Sequence, residues 1–185
     1  MKTRNRDSRG FTIMELMVVV GVIAIIASLA TGAAIKAVRG SRLKRAKSTK
    51  VALQAAIENY HAAYNKWPFR VNNMYQSTHS RGLYWAYDQD HPRINKNNSV
   101  VFEEMLDSNV PYLDASALLC EVNGNRMTVK DALERGLSPS DICIGYPNPS
   151  ETSQFFFYGV RYNSDTDSVK VYTKDEMDKV KDHEF

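Results

Sequence analysis

The chain begins polar, becomes wholly apolar, and then turns mixed. From Leu16 to Ile35 no side chain is charged, a run of twenty residues. A helix of that length crosses the hydrocarbon of a bilayer. Beyond Ile35 the pattern narrows to a stripe. Ala46, Leu53, Ile57, Tyr60 and Tyr64 recur at spacings of seven, four, three and four, which is one face of a helix. Asn65 and the Trp67-Pro68 pair end it. The pattern predicts one helix over 11–64, on the order of 80 Å long. Its first half is apolar all round and needs lipid or other helices about it. Its second half is amphipathic and packs on its own head.

The rest of the chain reads as a small head. Residues 66–127 show few clear periods and are rich in Asn, Tyr, His and Asp. They read as loops with short helical pieces, one of them over Val100–Leu106. The Tyr84-Trp85-Ala86-Tyr87 cluster reads as core packing under a long loop. Thr128 and Asp131 form a capping box ahead of a short helix that Gly136 stops. Ser138-Pro139-Ser140-Asp141 repeats the start signal, with room only for a turn. Gln154–Tyr162 and Ser168–Thr173 alternate as strands around the polar Asn163–Asp167, a β-hairpin. The charged tail from Asp175 is expected to fray. The fold class is therefore α+β: a long N-terminal helix, with a transmembrane half and an amphipathic half, packed on a small antiparallel sheet. The partition is 1–10, 11–35, 36–64 and 65–185.

The first ten residues carry Lys2, Arg4, Arg6 and Arg9 against Asp7. A basic region followed by an apolar one suggests a secretory signal, but the apolar run is too long and no Ala-x-Ala site follows it. The segment reads as retained, with the head exported. Glu15 lies at the start of the run. A carboxylate within a span costs a few kcal/mol at the bilayer centre and less near the interface. A cut between Gly10 and Phe11 supplies a partner, because the new Phe11 amine is positive. A neighbouring copy, shifted along a filament, can present its amine to this Glu15 and neutralise both charges.

The Gly10-Phe11-Thr12-x-x-Glu15 junction resembles the processing site of type IV pilins and type II secretion pseudopilins. The resemblance implies a pilin-like fold and a structural, non-enzymatic subunit. It implies that a prepilin peptidase cuts after Gly10 on the cytoplasmic side and N-methylates Phe11. Further partners implied are other pilin or pseudopilin subunits, an inner-membrane assembly platform, and the lipid bilayer before assembly. The chain would sit in the inner membrane with its head outside the cytoplasm, then enter a periplasmic or surface filament. Gly32 stands where the family usually has a proline. The stem end, Tyr60 to Lys66-Trp67-Pro68, and the Gly82-Leu83 pair resemble major secretion pseudopilins, which favours a secretion pseudopilus. Those proteins often hold calcium in C-terminal loops. Asp165 and Asp167 are the candidate ligands here, with Asp88 and Asp90 a weaker pair.

Charge and cysteines refine this. The net +3 hides an asymmetry. Residues 36–64 hold seven basic side chains and Glu58, a net +6. Residues 65–185 hold 13 basic and 18 acidic side chains, a net −5. Basic stems and acidic heads can attract one another between subunits. An acidic head argues against a nucleic-acid surface. The basic stem also opposes the positive-inside rule, which taken alone would retain it in the cytoplasm. Cys120 and Cys143, in an exported head, read as a disulfide closing a loop of about 24 residues, worth roughly 3 kcal/mol; two buried thiols are the alternative. The chain shows no Gly-x-Ser-x-Gly, P-loop, His-Glu-x-x-His or Cys-x-x-Cys motif. An anchored periplasmic binding or enzyme domain is the competing reading, and it leaves the junction unexplained.

Overall fold

A computed structural model describes residues 11–76, 82–86, 98–107, 113–151 and 153–184. The chain divides into two compact units, Met1–Ser41 and Arg42–Phe185. Helix α1 (Ile13–Tyr64) starts in the first and ends in the second. The helical second half of the predicted rod, set apart by pattern alone as a stem, thus belongs mostly to the head's unit.

In the first unit α1 opens on a capping box. The Glu15 amide donates to Thr12 Oγ1 at 3.2 Å, and the Thr12 amide donates to Glu15 Oε2 at 2.9 Å. Two of the helix's orphan N–H groups are satisfied this way. Farther along, the hydroxyls of Ser28 and Thr31 donate to the carbonyls of Ile25 and Ala27, each at 2.8 Å. Both hydroxyls are thereby satisfied within their own helix, as an apolar environment demands.

In the second unit the helix buries Ala46, Leu53, Ala56, Ile57 and Tyr60. Tyr64, assigned to this stripe by spacing, is instead exposed, because α1 ends there. Asn65 turns the chain out with φ of 53°, its amide donating to His61 O at 2.8 Å. This left-handed residue is a common way to close a helix, and Asn tolerates it.

Two four-stranded antiparallel sheets make up the rest, where the sequence pattern foresees a single small one. The first runs β1 (Tyr75–Gln76), β2 (Leu83–Trp85), β7 (Gly159–Asn163), β8 (Ser168–Tyr172) in the order 1-2-7-8. The second runs β4 (Asn125–Thr128), β3 (Leu119–Val122), β5 (Cys143–Pro147), β6 (Phe155–Phe157) in the order 4-3-5-6. The predicted strand over 154–162 is therefore two strands, one in each sheet. They part at Tyr158, which is fully buried and donates its hydroxyl to Ala46 O of α1 at 2.9 Å. The predicted hairpin across 163–167 is present as β7–β8.

Among the described residues three short α-helices accompany the sheets. Helix α2 (Ser99–Asp107) lies where Val100–Leu106 was expected. Helix α3 (Val129–Glu134) has Thr128 as its cap, accepting from the Asp131 amide at 3.0 Å, and Gly136 follows at φ 79°. Helix α4 (Lys174–Glu184) occupies the tail that charge alone suggested would fray. Its start is a second Thr-x-x-Glu box, in which the Thr173 amide donates to Glu176 Oε2 at 3.0 Å. Met177 then buries its side chain beside Tyr172.

Candidate functional site

The feature that separates the first unit from an ordinary domain is its solvation. Every residue from Phe11 to Ser41 is exposed, including Ile13, Leu16, Val18, Ile23, Ile26 and Leu29. Contiguous apolar surface on this scale marks an interaction with lipid or protein. The stretch is long and apolar enough to cross a membrane. Glu15 lies at its start, its Oε2 held by both the amide and the hydroxyl of Thr12, at 2.9 and 3.0 Å. Thr12 thus orients the carboxylate by local bonds, a role that the Thr-x-x-Glu spacing announces.

Residues 5–31 match the family model of the prokaryotic N-terminal methylation motif. The chain carries the prepilin-type signature of pilin and pseudopilin proteins. Neither the curated proteins nor the solved structures give a match to the chain. Within the prepilin-type segment, Phe11 and Glu15 fall on the described helix start, whereas Gly10 and the leader lie outside the described residues. The motif supports a prepilin-peptidase-processed, membrane-anchored, pilin-like protein that assembles with other pilin subunits.

In the head of this prepilin-type chain, the stem end meets the β7–β8 turn in an aromatic corner. His61 stacks on Trp67 with ring centres 3.9 Å apart, and Phe69 and Tyr162 pack edge-on at 5.5 Å. Trp67 Nε1 donates to Asp167 Oδ1 at 2.7 Å, and the Tyr162 hydroxyl donates to the same oxygen at 3.0 Å. These bonds, the Trp67 one foremost, hold the Asp167 carboxyl below its ordinary value of 3.8. Asp165 turns elsewhere, its Oδ1 lying 2.8 Å from where a Cβ on Gly82 would stand. Asp165 and Asp167 thus meet different neighbours, Gly82 for the one and Trp67 and Tyr162 for the other. Among the described residues no group of three or more His, Cys, Asp or Glu is placed to hold a metal ion. Tyr84 of the aromatic cluster packs 6.2 Å from Tyr162, whereas Tyr87, Asp88, Asp90, His79 and His91 lie outside the described residues.

The two cysteines lie on β3 and β5. Both are thiols, on adjacent strands. Cys120 pairs across the ladder with Ile144, and Cys143 pairs with Glu121. Cross-strand partners share a face and consecutive residues alternate, so Cys120 and Cys143 point to opposite faces. A disulfide between them needs a one-residue slip of the strand pair. Burial raises the Cys120 thiol, and burial raises Cys143 to about 11, so both are protonated at neutral pH.

Asn98, just ahead of α2, is a structural centre with no periodic signal. It is fully buried. Its Nδ2 donates to Ile144 O at 2.7 Å and Tyr158 O at 2.9 Å, and its Oδ1 accepts from the Ile144 amide at 3.0 Å. One side chain thereby holds β5 and the point where the two sheets part.

A cavity of about 190 Å³ opens beside this core. It is lined by Ala46, Ala117, Leu119 and Pro147, by Thr49, Tyr146 and Tyr158, and by Arg42 and Arg45 of α1. Burial, foremost, raises Tyr146 to about 12 and raises Tyr158 as well, so the cavity carries no phenolate.

Proposed function

We propose that the protein is a structural filament subunit of the pilin-like class, cut between Gly10 and Phe11, N-methylated on Phe11, and assembled through α1. The observation that supports this most is a coincidence. The methylation motif at 5–31 falls on the segment whose apolar side chains are exposed over 11–35, with Glu15 at its start. In the bilayer lipid covers that surface. In a filament other copies cover it, packed closely at Gly21, Ala24, Ala27, Ser28 and Gly32. A head-to-tail contact that does not close makes an open helical polymer. Glu15, pre-oriented by Thr12, meets the methylated amine of the next subunit. The resemblance of the stem end to secretion pseudopilins supports a secretion pseudopilus rather than an adhesive pilus, with the head in the periplasm.

The test is co-expression with a prepilin peptidase, followed by intact mass and N-terminal sequencing of the membrane extract. The expected product starts at methylated Phe11. A product still starting at Met1, where a control prepilin is cut, would overturn the reading and leave a signal-anchored head.

A further inference from the structure

The cavity lined by Arg42 and Arg45 is not used by the function proposed above. We propose that it binds one anionic phospholipid, the phosphate gripped by the two guanidinium groups and the glycerol with its first acyl carbons seated against Leu119, Pro147 and Ala46. The inference rests on reading residues 16–35 as a bilayer span.

Four observations converge on it. Arg42 and Arg45 are spaced i, i+3, so they lie on one helix face and can close on a single anion. Guanidinium forks match phosphate oxygens bidentately and remain charged at any working pH. Among the described residues neither arginine is in an ion pair, and both are exposed. No acidic side chain lines the cavity, whose other walls are mainly apolar, the combination an amphiphilic anion requires.

Depth and size point to lipid rather than a soluble phosphate. Arg42 follows Ile35, the end of the uncharged run, by seven residues. In a helix that is about 10 Å, which places the pair at headgroup level. Basic residues at that level attract anionic lipids. The volume, about 190 Å³, falls below the roughly 300–1,000 Å³ of a pocket that encloses a drug-sized ligand, so it suits part of a molecule anchored elsewhere. The basic residues that oppose the positive-inside rule thereby acquire a role on the outer side of the membrane.

Full-length protein in detergent micelles, titrated with phosphatidylglycerol and read by native mass spectrometry, tests this. A single saturable adduct is expected, absent with phosphatidylcholine. Replacing Arg42→Gln with Arg45→Gln should reduce occupancy at least tenfold. Replacing Lys44→Gln with Lys47→Gln removes equal charge from exposed positions off the cavity and should change it less than twofold. Ala117→Trp, at an exposed position, should block the cavity without touching charge, and circular dichroism confirms that each variant is folded. Equal loss in both double variants would overturn the site in favour of diffuse attraction. Equal occupancy by phosphatidylcholine would also overturn it. Full displacement by millimolar glycerol phosphate would make it a site for free phosphate, not lipid. Occupancy is read on dispersed subunits, so the result is independent of processing and filament formation.

Discussion

Helix α1 is one helix with two kinds of surroundings. Before Ser41 its leucines, isoleucines and valines are exposed, whereas from Ala46 to Tyr60 one stripe, Ala46, Leu53, Ala56, Ile57 and Tyr60, is buried in the unit's own core and Val51 on the opposite side stays exposed. Backbone geometry is the same throughout, so the difference lies in what covers the side chains. The second region is complete within one chain and owes its stability to packing. The first is stable only in lipid or among other copies, since hydrogen bonds alone contribute little net free energy in water. Self-sufficiency in one region and dependence in the other is what a subunit needs if it must wait in a membrane and then polymerise.

The sharpest way to probe that contrast is to shave both regions alike. Leu53→Ala, at a fully buried position, should cost about 2–5 kcal/mol. Ile25→Ala, exposed in the other region, should leave the head within about 0.5 kcal/mol of the parent. Urea unfolding of the micelle-bound protein, followed by head tryptophan fluorescence, measures both. Equal losses would erase the distinction.

Within the head, removing the polar centre should come next. Asn98→Ala strands the Ile144 amide and the Tyr158 carbonyl, at about 1–3 kcal/mol for each group left buried and unsatisfied, while the Ile144 carbonyl keeps the Tyr158 amide at 3.3 Å. Hydrogen exchange should then rise first at Ile144 and Tyr158. A smaller loss is expected for Gly145→Ala, whose new methyl would run into the Phe156 carbonyl and the Phe155 ring. Overpacking of this kind costs about 1–3 kcal/mol, read as a lower midpoint in the same titration.

The smallest effect concerns pH. The Asp167 carboxyl is held down by Trp67 and then Tyr162, so its folded value lies below its unfolded one. The stability it contributes is fully present above 3.8 and is lost as pH falls through the folded value. Asp167→Asn should flatten the acid limb of the stability profile below pH 3.8 and lower the neutral midpoint slightly, because the contribution is then missing at every pH. An unchanged acid limb would remove the corner from the pH response. Glu176 acts in the same direction. Burial pushes its carboxyl up, but the Lys50 ammonium at 2.7 Å and the Thr173 amide outweigh it, so a residual acid sensitivity should survive in the variant.

Local signals in the sequence announce the parts whose cause is local. The uncharged run, the Thr128 cap, the Asn65 stop and the β7–β8 turn each depend on residues within a few positions, and each is where the pattern puts it. Two further local signals were available. Asn123 and Gly124, at φ 52° and 77°, join β3 to β4 as a two-residue turn that Asn-Gly strongly favours. Thr173 and Glu176 cap α4. Only the candidate residues of the N-terminal segment were legible as a site. The cavity at Arg42 and Arg45 was not, because it is also lined by residues of β3 and β5 and by Tyr158, far away in the chain.

What the sequence by itself determined is the division of labour: an apolar N-terminal helix that needs company, and a mixed segment able to bury a core. The tertiary structure alone decided how that core is wired. It broke 154–162 at Tyr158, gave Asn98 its three partners, and turned Cys120 and Cys143 to opposite faces. The physical reason is that periodicity specifies which face of an element is apolar, whereas strand partner and register are settled by competition among distant segments for the same hydrogen bonds and the same buried volume.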